Sequence, residues 1–167
     1  MPRGAVLIRR SAAPLIAAAA LTALTALAVT GCDRQVAVTA PTPPPDALAV
    51  CGRLFAALPE TLAGVPRRTV TPDPATTAAW GDTPIVLRCG VPRPPGLTST
   101  AQVTRVEGAD GSAVDWFPEQ FTRGTRFTTS GRAVYVEVTV PEGYAGRAGG
   151  LTELGAAINA ADPITPA

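Results

Sequence analysis

At 167 residues, 46% apolar and only 5% aromatic, the chain suits one modest domain with appendages and excludes a two-domain enzyme. All 14 basic residues are Arg, set against 13 acids and no His. Arg3, Arg9 and Arg10 lie in a first stretch of 31 residues that carries no acid, so the remainder holds 11 Arg against 13 acids, a formal charge of −2, which argues against the clustered basic surface of a nucleic-acid binder.

Those three Arg precede an uncharged run at 11–30 built of Ala, Leu, Ile, Val, Thr and other neutral residues. A charged start followed by an apolar run is the pattern of a secretory signal. The run is about 20 residues long, which at ~1.5 Å per residue also spans a ~30 Å hydrocarbon core, so a retained anchor is the competing reading. Val29-Thr30-Gly31-Cys32 decides between them, because it resembles the lipobox of bacterial lipoproteins. Small side chains let the extended backbone enter the signal peptidase, and the thiol accepts diacylglycerol as a thioether. The expectation is a signal peptide at 1–31, a lipid on Cys32, and a domain held at the outer face of the plasma membrane, with Arg3, Arg9 and Arg10 left inside. Two acyl chains, at ~0.8 kcal/mol per buried methylene, hold a protein stably on a bilayer.

Residues 33–45, DRQVAVTAPTPPP, carry four Pro in their last five positions and no apolar periodicity. They read as a tether after the lipidated Cys32. At ~3.1 Å per residue it holds the domain up to about 40 Å from the lipid surface, within reach of envelope proteins or cell-wall polymer. The domain itself occupies 46–162, and 163–167 is a tail.

A helix starts near Asp46, with Leu48, Cys51, Phe55 and Leu58 on its apolar face. Residues 59–79 are rich in Pro and Thr, and 67–71 reads as a short edge strand. Residues 85–91 form the first clear strand, with Ile85, Leu87, Cys89 and Val91 on one face, and it must stop at Pro92-Arg93-Pro94-Pro95-Gly96 because Pro cannot donate to a ladder. Strands at 102–107 and 113–117 flank the hairpin signal Gly108-Ala109-Asp110-Gly111, and strands at 126–129 and 132–140 flank Ser130-Gly131. In the last strand Val134, Val136, Val138 and Val140 alternate with Ala133, Tyr135, Glu137 and Thr139. Leu151, Leu154 and Ile158 mark a final helix that ends at Asp162-Pro163. This order predicts an α+β fold, an antiparallel sheet of about 4–6 strands with two helices packed on one face.

With Cys32 lipidated, Cys51 and Cys89 remain, and an even pair in an oxidising compartment forms one disulfide. Both sulfurs are expected to point into the core. Closing a loop of about 38 residues contributes roughly 4 kcal/mol in the chain-entropy treatment. The chain lacks Cys-x-x-Cys spacing and His, so neither a redox pair nor a metal site is expected, and no cofactor is expected either.

Without His or Lys, Ser-His, Cys-His and Ser-Lys nucleophile pairs cannot be assembled. Carboxylate chemistry on cell-wall glycan is the enzymatic reading that remains, drawing on Asp82, Glu107, Asp110, Asp115, Glu119, Glu137 or Glu142. Most of these acids fall beside turns, where solvation and turn chemistry explain them equally well. Asp110-Gly111-Ser112 reads as a turn, because the spacing of a calcium loop is missing. Trp80, Trp116 and Tyr135 form either a stacking surface or part of the core. Arg88 alternates away from Leu87 and Cys89; it either pairs with Asp82 or Asp115 or reads a carboxylate ligand. Together with Arg132 these residues make up the candidate partner surface: Trp80, Asp82, Arg88, Asp115, Trp116, Arg132 and Tyr135. The favoured function is a non-enzymatic binding or assembly module of the envelope.

Several segments carry a resemblance. Ala79-Trp80-Gly81-Asp82, Pro84-Ile85-Val86-Leu87-Arg88-Cys89-Gly90-Val91, Val114-Asp115-Trp116, and Thr128-Thr129 with Gly131-Arg132 and Val134-Tyr135-Val136-Glu137-Val138 make the stretch 46–160 similar to the DUF3515 family of bacterial envelope proteins. Thr83 stands where a second Pro is expected. The resemblance implies an amino-terminal signal or anchor, supports the boundary at 46 and the Cys51 to Cys89 pairing, and carries no catalytic residue.

Overall fold

The computed structural model describes residues 35–72, 75–144 and 149–164. The expected signal peptide, the lipobox and Cys32 lie outside the described residues. Helix α1, Pro45–Ala57, begins where Pro is tolerated, since a first-turn residue has no intrahelical use for its N–H. Pro44 is its N-cap, its carbonyl accepts from Leu48 N at 3.1 Å, and Asp46 complements the helix dipole. The buried stripe is Ala47, Cys51, Leu54 and Leu58 rather than the one expected, and Leu48 is 43% exposed. Cys51 and Leu58 belong to both stripes, while Ala47 and Leu54 take the places expected for Leu48 and Phe55, the latter packing only partly buried against the core.

Among the described residues there are ten strands, in chain order β1 Val36–Ala37 ahead of α1, then β2 Thr61–Leu62, β3 Val65–Arg68, β4 Val70–Thr71, β5 Thr77–Trp80, β6 Ile85–Val91, β7 Thr104–Glu107, β8 Ala113–Phe121, β9 Gly124–Thr129 and β10 Tyr135–Pro141. Eight form one antiparallel sheet in the order β2-β3-β5-β6-β10-β9-β8-β7. The sheet exceeds the expected strand count because the Pro- and Thr-rich stretch supplies β2, β3 and β5, each too short to show alternation. Pro118 in β8 lies past the last residue paired with β7, so its missing N–H leaves no gap on that side.

Helix α2, Gly149–Ala161, joins α1 on one face of the sheet. Leu54 and Leu58 of the first helix region, with Leu154 and Ile158 of α2, share a core with Leu87, Cys89, Val114, Trp116, Val136 and Val138. The fold is thus α+β, with Cys51 and Cys89 joined at a Cα–Cα distance of 5.7 Å. Between Tyr135 and Val136 the register slips, and the Thr129 hydroxyl accepts from Val136 N at 2.9 Å where the ladder is interrupted.

The segment expected to be a free tether is part of the fold from Gln35 onward. β1 runs parallel to β4, with Val36 N donating to Thr69 O at 2.8 Å and Val38 N to Thr71 O at 3.0 Å. Val38, Val70 and Ala79 bury one another in a second small core, with Val36 and Val86 at its edge. Pro43 lies so close to Gly90, which has φ +79°, that a Cβ there would come within 2.4 Å of it. The Pro-rich composition is used for close packing against the sheet, and Val36 and Val38, with Val70 across the strand pair, supply the apolar contacts that composition alone concealed.

Candidate functional site

Neighbouring residues of a strand point to opposite sides, so the register that puts Leu87 and Cys89 beneath the helices sends Arg88 to the other face. There Arg88 stands between Thr77 of β5 and Glu137 of β10, and Glu137 stands beside Thr128 of β9. The four residues form a row across four adjacent strands, about 15 Å from end to end at ~4.8 Å per strand. Glu137 binds Arg88 Nη1 through Oε1 at 3.3 Å and Arg126 Nε through Oε2 at 3.4 Å. Its side chain is 11% exposed, and burying a carboxylate to this degree is costly without such partners. Glu119 stands opposite Arg126 in register.

Thr77 Oγ1, Arg88 Nε and Thr128 Oγ1 are buried and have no hydrogen-bond partner among the described residues. Each such group costs about 1–3 kcal/mol unless something else bonds it. The row therefore presents three unmet polar groups around one doubly paired carboxylate. That chemistry suits recognition by hydrogen bonds, and it does not supply a free acid and base.

The residues named from sequence separate into three groups. Trp80 and Trp116 are fully buried and leave the candidate surface: Trp80 Nε1 donates to Pro59 O at 3.0 Å, and Trp116 packs edge-on to Phe127 at 6.5 Å. Arg88 does not pair with Asp82 or Asp115, as expected, but with Glu137; Asp82 instead binds Arg68, and Asp115 faces Arg105 at 3.4 Å. The reason is register, since β6 is flanked by β5 and β10, and the acid directly opposite Arg88 is Glu137.

Arg132 is structural. It donates to Asp162 O, to Asn159 Oδ1 and, at 3.4 Å, to Ala113 O, while Asp162 Oδ2 accepts from Val134 N at 2.8 Å. Arg53 Nη2 adds a bond to Ala161 O at 2.9 Å. No basic residue lies in the last turn of α2, so its terminal carbonyls are capped from two other elements. Burial lowers the Arg132 pKa, opposed by the negative charges of Asp162 and Asp115. Tyr135, half-buried beside the bulge, lines a groove of about 700 Å³ together with Arg93, Leu97, Ser130 and Arg132.

Asp110 belongs to the turn between β7 and β8. Its carboxylate accepts from Ser112 Oγ at 2.6 Å and from Ser112 N at 3.1 Å; these bonds, the hydroxyl first, hold it below the ordinary carboxylate range. Among the described residues no group of three or more His, Cys, Asp or Glu is placed to hold a metal ion. Arg126, Thr77 and Thr128 were not among the candidate site residues, Thr128 entering only through the family resemblance. The visible signal was a charged residue alternating with buried Val in β10; its partners follow only from strand pairing.

A second groove, of about 440 Å³, lies where β1 and β4 meet β3 and β5, and Thr77 is part of its lining. Among the described residues no helix is long and apolar enough to cross a membrane. The sequence model of a family described as "Protein of unknown function (DUF3515)" matches residues 11–166. No curated protein and no solved structure matches the chain.

Proposed function

The chain belongs to the DUF3515 family, whose description assigns no activity, and from that premise we propose that it is a lipid-anchored, extracytoplasmic binding or assembly module of the cell envelope, without enzymatic activity. The observation that carries this reading is the division of labour among three cysteines. Cys51 and Cys89 are committed to each other, as suits an oxidising compartment. That leaves Cys32, preceded by Val29-Thr30-Gly31 and an uncharged run, as the thiol for lipid. The binding part of the reading is supported by the row of Thr77, Arg88, Glu137 and Thr128, where polar groups without hydrogen-bond partners among the described residues face away from the helices. Asp82, Asp115 and Glu137 meet Arg side chains and Asp110 meets Ser112, which leaves these four acids engaged in structural contacts.

The test uses the processed protein as bait in an envelope extract, beside a variant carrying Arg88→Met and Glu137→Leu. Replacing a buried ion pair by apolar side chains of similar size keeps stability roughly level. The expected result is an envelope protein or wall polymer retained by the natural protein and reduced at least tenfold in the variant, with both unfolding at similar temperature. Equal retention by the two baits, or nothing retained above background, contradicts the binding reading.

A further inference from the structure

We infer that β7, Thr104–Glu107, pairs antiparallel with β7 of a second copy of this chain, joining two sheets into one across a two-fold axis at Val106. The inference is independent of the lipid on Cys32 and goes beyond the reading above by naming an edge of the sheet and its partner.

Backbone geometry is the first argument. β7 ends the order of the large sheet, and among the described residues no strand pairs with its outer side. Gly108 N donates to Ser112 O at 2.6 Å, which makes these two a hydrogen-bonded pair of the hairpin. Such pairs alternate along an antiparallel ladder, so Val106 with Val114 and Thr104 with Trp116 exchange backbone bonds as well. The N–H and C=O groups of Arg105 and Glu107 therefore point away from β8. These are the groups that an added strand meets.

Charge is the second argument, and it selects the partner. Charged side chains on an edge ordinarily discourage a further strand. Two copies related by a two-fold axis normal to the sheet run antiparallel and present the same residues to each other. With the axis at Val106, Arg105 lies opposite Glu107 of the second copy, and Glu107 opposite its Arg105. Opposite charges then meet at the same two positions where the outward backbone groups meet. Centring the axis on Arg105 or on Glu107 opposes like charges instead. Centring it on Thr104 sets Arg105 against Val103 and gains no charge pair. An axis between two residues sets outward groups against inward ones. The edge is thus complementary to itself in one register.

Both charged side chains are available for this contact. The Arg105 side chain is 57% exposed, and its bond to Asp115 at 3.4 Å leaves further guanidinium donors. Glu107 is exposed and makes no ion pair among the described residues. Val106 turns to the helix face and packs partly buried against the core, which leaves Arg105 and Glu107 on the face away from α2.

The experiment is sedimentation equilibrium of the full-length protein in density-matched detergent. It compares the natural chain, Arg105→Glu, Glu107→Arg, and an equimolar mixture of these two variants. Each variant alone sets like charges against each other in both pairs, and its dimerisation is expected to weaken at least tenfold. The mixture restores opposite charges in both pairs and is expected to dimerise within about threefold of the natural chain. Register is read from Val106→Cys, whose thiols meet across the axis at a non-hydrogen-bonded pair with Cα atoms ~4.5 Å apart. Under mild oxidation it is expected to give at least fivefold more intermolecular disulfide than Thr104→Cys, which is displaced from its copy along the strand. A natural chain that stays monomeric, charge variants that dimerise as the natural chain does, or a mixture no more associated than its components overturns the pairing. Equal disulfide from the two Cys positions overturns the register.

Discussion

Arg132 bonds acceptors from two separate parts of the chain, the end of α2 and the first residue of β8, and does so from a buried position. Removing it leaves the terminal carbonyl of Asp162 and the amide of Asn159 without that donor. Arg132→Ala is expected to lower stability by about 2–4 kcal/mol, read from the urea midpoint at unchanged slope. Arg132→Lys should recover little, because one ammonium cannot span acceptors that a planar fork reaches together. Asp110 makes a pH-dependent contribution of known sign. Its folded-state pKa is held down by Ser112, so the stabilisation is present above the ordinary carboxylate range and is lost as pH falls through the lowered value. Asp110→Asn is expected to flatten that part of the acid limb in a stability–pH series. Residue types were readable at this scale and partners were not. Arg88 was placed on the correct side by alternation with Leu87 and Cys89, yet Glu137 became its partner through a pairing of strands 49 residues apart in sequence.

At the scale of elements, α2 meets the β7–β8 turn through a missing side chain. A Cβ on Gly155 would lie 2.5 Å from Ser112 Oγ, the same hydroxyl that holds Asp110. Ala in a helix interior normally gains about 1 kcal/mol over Gly. Gly155→Ala is nevertheless expected to destabilise, because it displaces that hydroxyl, and Ser112→Ala in the same chain should restore the gain. A double-mutant cycle by thermal unfolding reads the coupling, and additive effects would contradict the contact. β6 and α2 were legible because their periodicity is complete: β6 matches its reading at both ends, and α2 carries Leu151, Leu154 and Ile158 on its buried side, whereas α1 was located but its buried face was read one residue off at two of four positions and β8 runs four residues past its reading. The stretch 33–45 was misread because Pro-rich composition has two uses. It extends a free chain, and it also permits tight packing of the kind Pro43 makes on Gly90. Nothing local distinguishes them, since the partner that decides, Val70, comes from a strand of only two residues.

For the whole molecule, one covalent bond joins the helix layer to the centre of the sheet. Reduction of Cys51–Cys89, or the paired Cys51→Ala and Cys89→Ala change, is expected to cost about 4 kcal/mol in urea unfolding. Agreement of the two routes within about 1 kcal/mol separates the loop-closure effect from local repacking. The same bond ties location to fold, because a stable disulfide belongs to an oxidising compartment and a lipid on Cys32 would put the domain there. Mass spectrometry of the protein isolated from native membranes tests that link most directly. The account predicts a mature chain beginning at an acylated Cys32 with Cys51 and Cys89 oxidised, and a chain that retains Met1 with all three thiols free would contradict it.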